Sequence, residues 1–320
     1  MSAFLYKGKT IHAEDEETVL SALLREGVEV SHRCQAGACQ SCMVRATGAV
    51  PTSAQRGLDE ELVERGVFLS CQAKANSVDA VEPLGTETFP RFPVTLLESR
   101  RATDDVLIVR FGVYGWNARP GRFIRLIHNS GTVRPYSLAT PAWDCCDQFD
   151  LHVRLIPGGE MSEVLRTSDV GSTFAIEGPF GRCVYRSTSG DEPIVLVGSG
   201  TGLAPLYGIA TDALHQGHRG PIHLYHGAAN SSGLYFQPEL RQLAAAYPTF
   251  RYIPCADETN GITSLREGSP LAAALADHPS MEGYRAYLCG HPDLVRAAQK
   301  KCFLAGVNLR DIAADPFEAA

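Results

Sequence analysis

Four cysteines carry the first chemistry that can be read from this chain. Cys34, Cys39 and Cys42 stand in Cys34-Gln35-Ala36-Gly37-Ala38-Cys39-Gln40-Ser41-Cys42, and Cys71 follows far downstream. Intervals of four residues, then two, then a long gap are those of thiolates that wrap and close a [2Fe–2S] cluster. Soft thiolates suit iron and sulfide. Gly37, between the small Ala36 and Ala38, lets backbone N–H groups approach the sulfurs, where such bonds tune the potential. Zinc sites built from four cysteines usually pair them two by two. Only Cys39 and Cys42 have that spacing here, so the cluster is the stronger reading. It holds one electron at a time. The other cysteines, Cys145, Cys146, Cys183, Cys255, Cys289 and Cys302, lack ligand spacing and read mostly as small buried hydrophobes.

A second set lies mid-chain. Arg134-Pro135-Tyr136-Ser137 is followed by Leu151-His152-Val153-Arg154 and by Gly158-Gly159-Glu160-Met161-Ser162. A flavin dinucleotide needs a cation for its pyrophosphate, an aromatic face against its ring, and small residues where phosphate meets backbone. Arg134 suits the first and Tyr136 the second. Gly158, Gly159 and Ser162, opening a short helix, suit the third through exposed N–H groups. Ser137 is placed to donate a hydrogen bond near the ring's reactive nitrogen, and 151–154 count with these as cofactor-binding positions. Each motif alone is compatible with barrel packing. Their order behind a proline-marked boundary is what points to a flavin.

The third set is Gly198-Ser199-Gly200-Thr201-Gly202-Leu203-Ala204-Pro205, after an apolar strand and before a helix. Glycines there permit a tight turn and close approach of backbone to a dinucleotide pyrophosphate. The third glycine comes one residue earlier than in G-x-G-x-x-G. Tyr287-Leu288-Cys289-Gly290 closes a later strand and offers a small thiol to the nicotinamide, although a buried strand-end cysteine reads equally well. No Lys or Arg occurs in 226–233, where a 2′-phosphate would want an arginine. NADH is therefore expected over NADPH.

These residues need elements to hold them. At 320 residues, two or three domains are expected. Residues 1–88 read as a small mixed sheet with one helix. A hairpin turns at Lys7-Gly8-Lys9, and Val19, Leu20, Leu23 and Leu24 mark a helix ending near Gly27. Strands surround Met43–Val50 and Val78–Val81. Pro83, Gly85, Pro90 and Pro93 mark a linker. Over 89–187, apolar runs recur between turns rich in Gly, Pro and Asp, as in Val106–Val113, Phe123–Ile127 and Leu151–Ile156. That spacing predicts an antiparallel β-barrel. Over 188–320, strands at Ile194–Val197, Ile222–Tyr225, Phe250–Pro254 and Ala286–Cys289 alternate with helical patterns. That alternation predicts a Rossmann-like α/β domain with a parallel sheet.

Net charge is −7, which weighs against a nucleic-acid partner. Residues 1–88 hold thirteen Asp and Glu against eight Lys and Arg, a balance of −5, and the remaining 232 residues carry −2. The acidic end thus coincides with the four cysteines. It reads as a solvated surface or, more sharply, as a docking face for an electron acceptor. No apolar run approaches the length of a membrane span, and no apolar stretch follows a basic head at the N-terminus. The cysteine usage suits a reducing compartment, so a cytoplasmic protein is expected.

In this order the motifs resemble the reductase components of multicomponent bacterial oxygenases, as in the benzoate, naphthalene and methane oxygenase systems. Those proteins join a plant-type ferredoxin domain of β-grasp fold to a ferredoxin–NADP⁺ reductase-like module. The likeness spans the chain, from the cysteines to the tail Ala314-Asp315-Pro316-Phe317. The resemblance implies an NADH:acceptor reductase passing electrons from NADH to FAD, to the [2Fe–2S] cluster, and on to an oxygenase component or Rieske-type ferredoxin in aromatic or hydrocarbon oxidation. It implies that the acceptor docks on the acidic ferredoxin domain and that the protein is a monomer. The N-terminal ferredoxin separates it from phthalate-type reductases, which carry theirs last and use FMN. That favours FAD.

The resemblance also implies catalytic roles for Ser137, Cys289, Asp315 and Phe317. Phe317 would shield the nicotinamide face of the flavin until NADH displaces it, whereas the bare sequence there reads as a frayed tail. Many relatives have Arg where Ala229 stands, an acid where Gly233 stands, and Pro or Ala where His291 follows the cysteine-glycine turn. These departures bear on cofactor preference. A cluster near about −400 mV is hard for NADH to reduce, so hydrogen bonds or exposure should raise this one. Two rival readings are a reductase for a deoxysugar dehydratase, whose domain order is similar, and a non-catalytic redox sensor, which would need no complete hydride path.

Overall fold

The computed structural model describes residues 2–32, 35, 37, 40–58, 60–84, 89–140 and 147–317, with Glu60 and Glu61 described by their backbone alone. Cys34, Ala36, Ala38, Cys39, Gly85, Cys145 and Cys146 lie outside the described residues. The chain forms two units, Met1–Pro90 and Arg91–Ala320.

The first unit contains β1 (Ser2–Tyr6), β2 (Lys9–Ala13), α1 (Val19–Arg25), β3 (Met43–Thr47), α2 (Glu60–Glu64), β4 (Val67–Leu69) and β5 (Ala80–Pro83). Its sheet has the order β2-β1-β5-β3-β4, with β1 and β5 parallel and the other pairs antiparallel. In β1, Phe4 and Tyr6 are buried and Leu5 is exposed, the period of two that a half-buried strand requires. Thr18 caps α1, its Oγ1 accepting from the Ser21 N–H at 3.1 Å. Gly27, at φ +71°, stops the helix, and the Val28 N–H turns back to the Leu23 carbonyl at 2.9 Å. Val19 and Leu23 then pack with Ile11, Phe68 and Val81 in one core. The three residues of β4 are all buried, too short a run to show a period, and the sequence pattern had not marked them.

The second unit begins with β6 (Arg91–Arg101), β7 (Val106–Val113), β8 (Phe123–Ile127), β9 (Val133–Ser137), β10 (Gln148–Arg154), α3 (Glu160–Thr167) and β11 (Thr173–Phe180). These strands form an antiparallel sheet in the order β10-β7-β6-β11-β8-β9. A bridge between Leu138 and Leu151 brings its two edges together as a barrel. Phe111 sits at the centre, stacked on Phe149 at 5.5 Å and edge-on to Phe174 at 5.3 Å. Met161 and Leu165 of α3 bury into the same core.

The rest comprises β12 (Ile194–Ser199), α4 (Leu203–His215), β13 (Ile222–Asn230), α5 (Gln237–Ala246), β14 (Phe250–Glu258), β15 (Arg266–Glu267), α6 (Pro270–Asp277), β16 (Arg285–Gly290), α7 (Pro292–Leu304) and β17 (Ile312–Pro316). The sheet is parallel throughout, ordered β15-β14-β13-β12-β16-β17. From β12 the chain builds outward to β15, then returns to the other side of β12 as β16. The carboxyl ends of β12 and β16 therefore flank a topological switch point, where ligands of open α/β sheets bind. The tail is not frayed. Residues 312–316 form β17, which covers the β16 edge with Cys289 opposite Asp315. No helix among the described residues is long and apolar enough to cross a membrane.

Candidate functional site

At the cluster end, the Sγ atoms of Cys42 and Cys71 lie 3.2 Å apart, both cysteines buried and reduced. That is too far for a disulfide, which needs about 2.05 Å. It is close enough for two thiolates to share one metal centre. Ser70 ties the two segments together: its N–H and its hydroxyl both donate to the Cys42 carbonyl, at 3.0 and 2.8 Å. Gln72 faces the other way, its side-chain amide donating to Cys71 Sγ at 3.4 Å and to the Gln35 carbonyl at 3.5 Å. A Cβ on Gly37 would stand 2.9 Å from the Gln72 side chain. Glycine at 37 thus leaves room for that amide. N–H···S bonds of this kind are one of the means by which a protein tunes a cluster's potential. Sequence reasoning had missed Gln72; its only signal was a polar residue beside a ligand cysteine.

On the barrel, β9 carries Arg134 to Ser137. The Arg134 guanidinium reaches 3.6 Å from the Glu160 carboxylate, in the first turn of α3. It therefore meets the Gly158–Gly159 turn, although the motifs are more than twenty residues apart in sequence. Gly158 has φ +73° and Gly159 is the N-cap with no side-chain capping bond, so the first amides of α3 have no intrahelical partner. Ser162 offers no side chain to that site. Its hydroxyl turns inward, donating to the Gly159 carbonyl at 2.9 Å and closing the turn rather than facing outward. Tyr136 is half-buried, and burial pushes its phenol above the ordinary value.

Residues 151–154 divide by strand alternation. Leu151 and Val153 fill the barrel core, so only their backbone is available to a cofactor. His152 points the other way and bonds the Tyr235 hydroxyl at 2.9 Å. Burial, with Arg100 and His226 nearby, lowers its pKa to about 3, so the ring is neutral. Arg154 pairs with Asp105 at 2.8 Å and stands 3.3 Å from where a Cβ on Gly200 would lie.

At the switch point the glycines have a reason beyond phosphate approach. A Cβ on Gly202 would be 2.4 Å from the Cys289 carbonyl oxygen, and one on Gly198 3.0 Å from the same atom. A Cβ on Gly290 would be 2.6 Å from the Ser199 carbonyl oxygen. The two strand ends touch backbone to backbone. Gly200, at φ +53°, and Gly290, at φ +115°, also need glycine for their own conformation. Thr201 is half-buried, and Pro205 sits in the first turn of α4, where no N–H is missed. Cys289 is 0 % exposed, with its sulfur 3.9 Å from that of Cys183. Its thiol is packed against protein, and sequence reasoning had missed Cys183 as its neighbour.

The barrel and the sheet meet at the strand ends as well as through His152 and Tyr235. Ser137 Oγ donates to Asp315 Oδ2 at 2.7 Å, linking the end of β9 to β17 across 178 residues. Both residues are buried, Asp315 to 3 % exposure. Asp315 is in register with Cys289, and Cys289 with Gly198, so the three lie side by side across the strand ends. The Phe317 N–H donates to the Gly290 carbonyl at 2.7 Å, fixing the backbone past β17.

Comparison with known proteins bears on all three sites. The 2Fe-2S iron-sulfur cluster binding domain family matches residues 5–76, the oxidoreductase FAD-binding domain family 93–185 and the oxidoreductase NAD-binding domain family 196–300. The chain is 32% identical over 315 residues to the reductase subunit of an aromatic O-demethylase from an Amycolatopsis species, covering 92% of this chain and 91% of that one. It is 29% identical to the reductase component of the naphthalene 1,2-dioxygenase/salicylate 5-hydroxylase systems of a Ralstonia species, over 96% and 95%. Its fold matches the crystal structure of an Amycolatopsis cytochrome P450 reductase with a TM-score of 0.71 and 30% identity, over 99% of both chains. The protein is thus an oxidoreductase that uses a [2Fe–2S] cluster, FAD and a nicotinamide dinucleotide. It belongs to the family of reductase components of oxygenase systems.

Proposed function

We propose that this protein carries electrons from NADH, through FAD and a [2Fe–2S] cluster, to the oxygenase or Rieske-type ferredoxin of a system that oxidises aromatic or other hydrocarbon substrates. The observation that carries this reading is the Ser137–Asp315 bond of 2.7 Å. It ties the end of the Arg134-Pro135-Tyr136-Ser137 strand to the strand beside Cys289, so flavin-side and nicotinamide-side residues meet at the switch point. FAD, when bound, would supply the conversion of a hydride's electron pair into single electrons. The chain's own residues do the rest. Arg134 and the first amides of α3 offer positive charge to a pyrophosphate, and the Tyr136 ring offers a flat face. The Ser137 proton points at Asp315. Its oxygen therefore keeps lone pairs to accept from an N–H, in place of the donor role expected from the sequence, and Asp315 holds the hydroxyl in that orientation.

The domains of the relay are 1–88, 89–187 and 188–320. The acceptor docks on the first, whose balance of −5 favours a basic partner. The protein acts as a cytoplasmic monomer. NADH is preferred because residues 226–233 supply no cation. Asn230, which ends β13, spends its carbonyl oxygen on the Gly233 N–H at 3.1 Å. A second reading, favoured by the 30% identity and shared fold with a cytochrome P450 reductase, makes the acceptor a cytochrome P450.

The test is reconstitution. The holoprotein with NADH is offered a Rieske-type ferredoxin, a Rieske oxygenase and a bacterial P450, and reduction of each is followed spectrally. The kcat/KM for NADH is expected to exceed that for NADPH by about tenfold or more. Transfer to the true acceptor should slow as salt screens the acidic face. Equal use of both dinucleotides would sink the cofactor preference. Failure with every oxygenase-type acceptor, beside a brisk ferricyanide rate, would sink the assignment.

A further inference from the structure

The Gly198–Gly202 turn is backed by a buried histidine that none of the motifs includes. His226 lies on β13, in register with Gly198, and is 0 % exposed. Its Nε2 is 3.2 Å from the Gly200 carbonyl oxygen. A carbonyl only accepts, so Nε2 carries the proton and Nδ1 is left as an acceptor. That Nδ1 is buried without a hydrogen-bond partner. Such a group costs free energy and calls for an explanation. Burial lowers the pKa of this histidine to about 4, which keeps the ring neutral and its single proton on Nε2 at neutral pH. Tyr235 fixes the ring plane. It stands edge-on to His226 at 5.6 Å and is itself held through its hydroxyl by His152.

The consequence lies in the peptide that follows Gly200. In a planar trans peptide the C=O and the next N–H point in opposite directions. Anchoring the Gly200 oxygen on His226 therefore turns the Thr201 N–H away from β13. Gly200, at φ +53° and without a side chain, is the residue about which that peptide turns; the Leu203 N–H also donates to its carbonyl, so His226 adds a second anchor to the same oxygen. A flip would present a carbonyl oxygen to an incoming phosphate.

We propose that His226 is a positioning residue for the nicotinamide dinucleotide: its Nε2–H pins the Gly200–Thr201 peptide so that the turn offers N–H, not C=O, to the pyrophosphate. The inference rests on reading the Gly198–Gly202 turn as the pyrophosphate site.

Calorimetric titration of the oxidised holoprotein with ADP-ribose, which has the pyrophosphate but no nicotinamide, tests it. His226→Met is expected to weaken binding about tenfold, and His226→Gln, which restores a donor, about threefold or less. In turnover the loss for His226→Met should appear in the KM for NADH rather than in kcat, with FAD and iron content unchanged. Gly200→Val is the control and should weaken ADP-ribose more than His226→Met does. If Gly200→Val binds ADP-ribose like wild type, the pyrophosphate reading of the turn fails. If Gly200→Val weakens binding but His226→Met does not, only the role of His226 falls. Should His226→Met not fold, ¹⁵N spectroscopy of the wild-type ring decides. The Nε2–H tautomer is expected, and a proton on Nδ1 overturns the proposal.

Discussion

Replacing Cys71 with serine is expected to cut NADH-driven reduction of cytochrome c on the order of a hundredfold or more, while NADH–ferricyanide activity stays near the wild-type rate. Cys71 Sγ lies 3.2 Å from Cys42 Sγ, in a buried pair. Ser70 locks the two backbones together through the Cys42 carbonyl, so another donor cannot swing in to replace the lost sulfur. Serine offers a harder oxygen that suits iron–sulfide chemistry poorly. The first unit has its own core around Phe68 and Leu23, while the barrel and the parallel sheet have theirs. Loss of the cluster should therefore leave the flavin unit folded and able to reduce a small oxidant directly. Iron and sulfide content, the visible spectrum and the two rates are the readouts. A Cys71→Ser protein that loses iron yet reduces cytochrome c at the wild-type rate would remove the cluster from the path.

The second large effect concerns Ser137 and Asp315. Ser137→Ala is expected to slow the first flavin bleaching after mixing with NADH by about a hundredfold, the loss expected when a group that positions the reacting atoms is removed. Asp315→Ala should cost about as much, because the serine proton then loses its acceptor. Asp315→Asn should cost nearer tenfold, since an amide oxygen still accepts the 2.7 Å bond. Acting as one unit, the pair should be non-additive: the Ser137→Ala/Asp315→Ala protein should be scarcely slower than either single variant. Multiplicative losses would mean that the two residues contribute separately, and the hydrogen bond would then be structural only.

These two predictions draw on different kinds of legibility. The cluster ligands could be read from the chain because three of the four lie within nine residues, where spacing alone encodes geometry. The strand–turn–helix around Gly198–Gly202 was legible for the same reason. What joins Ser137 to Asp315 was not, for the contact spans 178 residues. Ile312-Ala313-Ala314-Asp315-Pro316 shows no alternation that would announce a strand. It forms one because the edge of β16 needs covering, a demand set by topology and not by local sequence. Likewise Gly198 and Gly202 look like phosphate-approach glycines, yet the atoms that forbid a side chain there belong to Leu206 and Cys289. Family resemblance supplied Asp315 and Phe317 where residue patterns could not. His226 had no signal of its own, because a histidine within a buried strand reads as core.

The relay itself is tested most directly by rapid anaerobic mixing of the oxidised holoprotein with NADH, following flavin and cluster absorbance together. The flavin band is predicted to bleach first and the cluster band to follow, with both changes lost when FAD is removed. Cluster reduction at the same rate in the FAD-free protein would contradict the account.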